Sequence, residues 1–322
     1  MKAVRVHTLG GPERLRLEDI VLRPPGVGEV LVEVKTAGVN FMDTQIRSGL
    51  FPRPLPVTLG IEGAGIVRAV GEGVETVKPD DRVGWIFGGG SYAQYASVPA
   101  DKVVRLPDAL SFADAATVLF QGLTAHYLAT STFELKAGDT CLVHSAAGGS
   151  GAILCQIAKL RGATVIGAVS SEAKAAIARD AGADHVVIYA KADFASEARR
   201  LTDGQGVDVV YDAVGLETYE GSMRALRRRG CLALYGEASG LVPPLDVRML
   251  VMRGSLYLTR TGLDSYTATR EEYAERVGDL FGWMAEGKLR CPVFKTYGLD
   301  EAAEAHIAIE SRGTTGKLLI AV

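Results

Sequence analysis

The chain has 322 residues, 48% hydrophobic and 23% charged, with 38 glycines, enough for two cores and too apolar for a disordered segment. A net charge of −3 and a pI near 6.0 argue against a nucleic-acid surface. No apolar run approaches the ~20 residues that span a bilayer, and the four cysteines (Cys141, Cys155, Cys231, Cys291) lack the paired spacing of a disulfide framework or zinc lobe.

Residues 1–7 read as a strand with no signal-peptide core, so a cytoplasmic protein with reduced thiols is expected. Residues 30–35 alternate apolar and polar after a Pro24, Pro25, Gly26 turn, and residues 60–67 and 82–87 supply further short strands. Prolines scattered from Pro52 to Pro107 keep long helices out. This pattern predicts an irregular, mostly antiparallel β domain. From Ala113 onward helical periods alternate with short apolar strands at 140–144, 164–169, 185–188, 208–212, 231–235 and 255–259. That alternation is the signature of a doubly wound parallel sheet. The run Arg227, Arg228, Arg229 reads as a solvated helix end. Residues 293–322 return to a short strand, a helix over 299–311 and a closing strand over 317–322. The expected fold class is therefore α/β, with a β-rich domain over 1–122 completed by 291–322 and a parallel-sheet domain over 123–290.

The stretch after the strand at 140–144 carries the most chemistry. Aligned to the glycine fingerprint of dinucleotide folds, it reads Ala146, Ala147, Gly148, Gly149, Ser150, Gly151. It keeps the close-approach and helix-packing glycines and loses only the tight-turn glycine. Backbone N–H groups of such a turn, with a helix N-terminus, approach a pyrophosphate without side-chain interference. The end of the next strand, where an acidic residue binds the ribose of NAD, holds Val169, Ser170 and Ser171 instead. Lys174 follows one helical turn beyond Ser170, and Glu172 is the only nearby acid. A hydroxyl and an ammonium suit a 2′-phosphate, so NADPH is the expected cofactor. Tyr189, ending the following strand, is expected to complete that pocket with its phenol.

With these residues in view, the chain resembles the zinc-independent quinone oxidoreductases (the zeta-crystallin group) of the medium-chain dehydrogenase/reductase superfamily. The resemblance rests on Gly138, Asp139, Leu142, Ala146, Ala147, Gly148, Gly149, Gly151, Gln156 and Lys159 around the glycine loop. It extends to residues 37–43, 47–50 and 121–124, to Gly60, Glu62 and Gly65, to residues 210–215, and to the Thr315, Gly316, Lys317 ending. It implies a GroES-like β-rich domain carrying the substrate cleft, a Rossmann domain holding NADPH, and a homodimer. It further implies that Asn40, Phe41, Asp43 and Gln45 line the nicotinamide end and that Thr124 and Tyr127 contact the cofactor. Gly148, Gly149 and Ser150 are implied at the pyrophosphate, and Ser170, Lys174 and Tyr189 at the 2′-phosphate. Val214, Gly236, Glu237, Leu258 and Thr259 are implied to flank the cofactor, with Arg312 or Lys317 approaching from the tail. Three departures stand out: Ser150 replaces the usual valine, Phe51 a frequent tyrosine, and Gln45 an aromatic residue of some relatives.

Zinc alcohol dehydrogenases of the superfamily need thiolate or imidazole ligands. Here Asn40 stands where the ligand cysteine would be and Ile61 where the histidine of a Gly-His-Glu triplet would be, so no catalytic metal is expected. Glu62, without that neighbour, reads as a structural hydrogen-bond partner. His7, His126, His144, His185 and His306 show no ligand spacing, and Ser145 lies in a phosphate turn rather than a hydrolase elbow. Without a Lewis acid, oxidising an alcohol is hard, whereas an electron-poor quinone or enone stabilises the added negative charge itself. The protein then needs to position the acceptor and donate hydrogen bonds to the developing oxyanion, for which Asn40 and Gln45 are the candidate donors. Asp43 reads as an orienting group on the nicotinamide ribose. The expected activity is NADPH-dependent quinone reduction on a small-molecule substrate. An enone or enoyl reductase is the second reading, and a nucleotide-binding sensor or structural protein with little catalysis the third.

Overall fold

The computed structural model describes all 322 residues, Met1–Val322. Two compact units emerge: Met1–Gln121 with Val277–Glu286 and Cys291–Val322, and Gly122–Arg276 with Gly287–Arg290. In the first, β1 (Lys2–Val6) pairs antiparallel with β2 (Leu15–Asp19). The long strand β3 (Glu29–Val39) leads directly into α1 (Phe41–Ser48). Five short strands follow: β4 (Val57–Thr58), β5 (Glu62–Val70), β6 (Arg82–Ile86), β7 (Tyr95–Pro99) and β8 (Val103–Arg105). The helix α2 (Phe112–Tyr127) ends this run.

The second unit alternates strand and helix: β9 (Thr140–His144), α3 (Gly149–Leu160), β10 (Thr164–Val169), α4 (Glu172–Asp180), β11 (His185–Ile188), α5 (Phe194–Leu201), β12 (Val207–Asp212), α6 (Tyr219–Ala225), β13 (Leu226–Leu234), α7 (Arg248–Met252) and β14 (Tyr257–Arg260). The sheet order is β11-β10-β9-β12-β13-β14, and every pairing is parallel. Strand order reverses between β9 and β12, the position where doubly wound sheets bind dinucleotides beyond their carboxyl ends. Strands buried on both faces explain the unbroken apolar runs Cys141 to Val143 and Val209 to Tyr211, each wholly inaccessible. The Leu142, Ile166, Val210 and Leu232 side chains form the centre of one core with Phe194 and Met223.

The chain closes through α8 (Arg270–Ala285), β15 (Val293–Gly298), α9 (Ala302–Glu310) and β16 (Lys317–Ala321). β16 pairs antiparallel with β3, so the tail completes the first unit's seven-stranded sheet, whose path runs β15-β16-β3-β5-β6-β8 with β7 also on β3. The arginine run departs from expectation. Arg227, Arg228 and Arg229 lie inside β13 rather than at a helix end, because Leu226 and Cys231 onward pair with β12 while Arg229 takes a left-handed φ of 57°. Sheet pairing overrides the local preference of three solvated cations.

Candidate active site

In the first unit the polar groups gather where three neighbouring strands meet α1. The register pairs Leu318 with Val39 and Gly38 with Glu62, so Lys317, Asn40 and Glu62 come together at one end of β16, β3 and β5. Asn40 is the N-cap of α1, yet its side chain does not cap the helix. It is turned so that Nδ2 donates to Glu62 Oε2 at 2.9 Å and Oδ1 accepts from Lys317 Nζ at 2.8 Å. Lys317 Nζ also donates to Glu62 Oε2 at 2.5 Å, and Glu62 Oε1 accepts the Phe120 N–H at 2.6 Å. Asn40, Glu62 and Lys317 are 2%, 0% and 1% exposed. Only glycine fits at position 38, where a Cβ would lie 2.2 Å from Glu62 Oε2 and 2.6 Å from the Ala116 carbonyl.

Asp43 supplies the reciprocal bond, while its own N–H goes to the Asn40 backbone carbonyl at 3.0 Å. Its carboxylate accepts the Asn40 N–H at 2.9 Å and the Ile61 N–H at 3.1 Å. Burial pushes this carboxyl up to about 7. A buried chain leads to it. Arg47 Nη1 donates to His306 Nδ1 at 3.1 Å, which leaves the proton on Nε2, 3.3 Å from the Tyr92 hydroxyl oxygen. Tyr92 in turn donates toward Asp43 Oδ2 at 3.4 Å. Burial, with the Arg47 charge beside it, holds His306 down at about 3, so the imidazole stays neutral. Arg47 also pairs with Glu310. Gln45, one turn along α1, is half-buried and makes no side-chain hydrogen bond.

In the second unit β9 ends on His144, and the chain turns sharply through Ser145 at φ 53°. Gly148 then caps α3 without any side-chain hydrogen bond to the first turn. The N–H groups at Gly149, Ser150 and Gly151 have no residue four positions back to bond within the helix. They open the helix just after the carboxyl end of β9, and all three belong to the glycine turn. A Cβ on Gly151 would stand 2.2 Å from the Ser145 carbonyl, so the turn closes onto the helix only with glycine there. This donor set fits a pyrophosphate. Ser170 is exposed at the end of β10, and Ser171 Oγ caps α4 by accepting the Lys174 N–H at 3.3 Å. Partial burial lowers the Lys174 ammonium, and Glu172, the one nearby acid, is engaged by Lys191. The strand end thus offers a hydroxyl and an ammonium with its carboxylate neutralised, which fits a 2′-phosphate better than a bare ribose.

Tyr189 departs from expectation. Its hydroxyl lies 2.5 Å from His144 Nδ1, and the Ser145 N–H is directed at its oxygen. His144 Nε2 meets Ser222 Oγ at 2.9 Å, and Ser222 donates to Asp212 Oδ2 at 2.7 Å. Because a carboxylate only accepts, the order of donors runs from Tyr189 through His144 and Ser222 to Asp212. The phenol therefore gives its proton to the interior rather than to a phosphate. Asp212 Oδ1 also accepts the Val214 and Gly215 N–H groups at 2.8 and 3.0 Å.

Two family models match the chain: the alcohol dehydrogenase GroES-like domain over residues 26–108 and the zinc-binding dehydrogenase over residues 181–320. A quinone oxidoreductase of Salmonella typhimurium is 43% identical over 98% of this chain and 98% of its own length. The chain belongs to the quinone oxidoreductase family. The solved structure of the Escherichia coli quinone oxidoreductase complexed with NADPH superposes with a TM-score of 0.98 at 42% identity, covering 100% of both chains. A 2-haloacrylate reductase from Burkholderia sp. is 40% identical over 99% of this chain and 98% of its own. The GroES-like domain, the Rossmann sheet and the family expected from the motifs all stand.

Within this family member, several expected site residues are spent elsewhere. Asn40 has both amide ends bound and Asp43 is 0% exposed, so neither is free to donate to an acceptor or hold a ribose. Lys317 meets Asn40 and Glu62 inside the protein. Tyr127 is 1% exposed, with its hydroxyl 3.0 Å from Thr261 Oγ1 and its ring stacked 4.2 Å from Tyr266, which makes it core. Thr124 is buried at 7% exposure. Val214 and Gly236 flank the end of β12, and Glu237 is ion-paired with Arg260 at 3.3 Å. Leu258 and Thr259 lie on the edge strand β14, and Arg312 is exposed just past α9 at a φ of 56°. Phe51 remains at the surface, 37% exposed. The chain's four thiols are unpaired, and burial raises each: Cys155 and Cys291 to about 12, Cys231 to about 11, and Cys141 well above the ordinary thiol value. No three His, Cys, Asp or Glu side chains converge into a metal-holding group.

Motif reading matched residues 210–215 without giving Asp212 a role, and it passed over the Lys317–Glu62 contact. For Asp212 a signal existed: an acidic residue closing an apolar strand two positions before the Val214, Gly215 turn. For Lys317 none did, because 255 residues separate it from Glu62.

Proposed function

We propose that this protein reduces quinones with NADPH by hydride transfer, without a metal. The open N–H groups at the start of α3, together with Ser170 and Lys174 beside a neutralised Glu172, carry this reading. NADPH supplies the hydride when bound. The chain's own contribution is to hold the pyrophosphate on the α3 N-terminus and the 2′-phosphate on Ser170 and Lys174. Gln45, the one amide of α1 with an uncommitted donor, gives the acceptor oxygen a hydrogen bond as negative charge develops there. Asn40, Phe41 and Asp43 act by shaping and fixing the segment that carries it. In this reading residues 1–122 and 291–322 serve the acceptor, and residues 123–290 serve the cofactor.

Purified protein should oxidise NADPH with simple quinones and do so much less readily with NADH. Tight NADPH binding with no turnover on any quinone would leave a nucleotide-binding role instead. The 40% identity to a 2-haloacrylate reductase supports conjugated carbonyl compounds as the second acceptor class. An α,β-unsaturated acid or ketone turned over much faster than any quinone would make that the main activity.

We also propose a homodimer built on β14. That strand ends the second sheet with an unpaired edge, Tyr257 is 65% exposed there, and Val251 and Met252 nearby are 72% and 83% exposed. Sedimentation showing a monomer at micromolar concentration would exclude it. No helix is long and apolar enough to cross a membrane. Four unpaired cysteines support a reducing, cytoplasmic setting, which localisation of the tagged protein tests.

A further inference from the structure

We propose that Lys317 is a positioning residue whose buried ammonium locks the Asn40 amide against Glu62 and so fixes the start of α1, the helix that carries Phe41 and Gln45. The proposal rests on the reading in which Gln45 meets the acceptor. An asparagine at a helix N-cap ordinarily spends its side-chain oxygen on the first turn. Here the first-turn Asp43 N–H goes to the Asn40 backbone carbonyl at 3.0 Å, the Asp43 carboxylate takes the Asn40 N–H in return, and the Asn40 side chain is held between an ammonium and a carboxylate. The two partners fix the amide's direction absolutely. Turned over, it would set its NH2 against a group that only donates and its oxygen against a group that only accepts.

Lys317 reaches this point from β16, Asn40 from the end of β3 and Glu62 from the start of β5, so three strands are tied at one level. Glu62 extends the tie to α2 through the Phe120 N–H. A buried ion pair of this kind is a poor source of stability, since apolar replacements of both partners often do as well. What it provides is a unique geometry. The ammonium supplies a fixed positive charge that orients the Asn40 and Glu62 oxygens.

The test is Lys317→Ala, which leaves a slot of alkylammonium size. The turnover number with a quinone and saturating NADPH should fall on the order of 100-fold, as for a displaced reactive geometry. NADPH affinity, measured by fluorescence, should stay near wild type. Added n-propylammonium should restore much of the turnover, and n-propanol should not. Wild-type turnover in the variant would overturn the proposal. So would a loss confined to NADPH affinity, which would put the ammonium on the cofactor, or equal rescue by propanol, which would reduce the role to packing. Should Lys317→Ala not fold, Lys317→Met with Glu62→Gln removes both charges together; it should fold, bind NADPH and remain slow, and normal turnover there would equally overturn the proposal. A wild-type protein inactive on every acceptor would refute the proposed function alone. The lock is then read from the Asn40 side-chain amide protons by NMR, which should exchange slowly in the wild type and quickly in Lys317→Ala; equal exchange in both would overturn it.

Discussion

His306 in the first unit and His144 in the second sit in buried chains of the same order: a donor onto Nδ1, Nε2–H onto a hydroxyl, and the hydroxyl onto an aspartate. Both aspartates finish by gathering two backbone N–H groups, at Asn40 and Ile61 in one case and at Val214 and Gly215 in the other. The chains differ at their heads. Arg47 begins the first with a permanent charge balanced by Glu310, so that chain is closed and ties α1 to α9. Tyr189 begins the second with a neutral hydroxyl that also takes the Ser145 N–H, so that chain ends on the glycine turn. The same hydrogen-bond order serves to weld helices when its head is an ion and to steady a binding loop when its head is a phenol.

Breaking the closed chain should cost the most. Arg47→Met leaves His306 Nδ1 and the Gly10 carbonyl without a donor and the exposed Glu310 unpaired, and should lower stability by about 2–4 kcal/mol in urea unfolding. NADPH affinity per folded molecule should be unchanged, and a large affinity loss would show that the first chain is not merely a weld.

The next effect is a tilt in stability against pH. His306 is held below its ordinary value, so the stability it contributes is present above about pH 6.5 and lost as pH falls toward 3. Asp43 is raised to about 7, so its contribution is full at low pH and is lost as pH rises from about 4 through 7. The two offset one another over about pH 4 to 6.5. His306→Gln should make the cluster gain stability on acidification, and Asp43→Asn should make it lose stability, each by about 1.4 kcal/mol per pH unit at most. Thermal melts across that window would show tilts of opposite sign, and parallel tilts would separate the two groups.

On the cofactor side, Lys174→Ala should weaken NADPH binding roughly 10- to 100-fold, the worth of a hydrogen bond to a charged group. NADH binding should barely move; equal losses in a titration would remove the 2′-phosphate assignment. Tyr189→Phe should be milder, costing about 1–3 kcal/mol through the unsatisfied His144 Nδ1. Because its hydroxyl supports the glycine turn, NADPH and NADH should lose affinity in the same ratio. A loss specific to NADPH would mean the phenol leaves His144 for the phosphate.

Most of the second sheet was legible in the sequence, because its strands are short apolar runs closed by glycine, serine or aspartate. β9, β10 and β11 fall at the residues their patterns predict. The glycine turn was legible for the same local reason. The first unit's site was not, since Lys317, Asn40 and Glu62 meet only through the register of β16 on β3 and β3 on β5. Tyr127 shows a related limit: periodicity identifies its helix but not the Tyr266 ring that claims its face. Residue type marked Asn40 as special, and only the register reveals that its amide is already taken.

The four thiols bear on survival at work. Quinones and conjugated carbonyls alkylate accessible thiolates, and a catalyst meeting them at every turnover risks being consumed by its own substrate. Here each sulfur keeps its proton, three of the four are shut in the core, and the fourth, Cys291, is half covered. The folded chain thereby offers little thiolate to the soft electrophiles it is proposed to handle, and that protection lasts as long as the fold does.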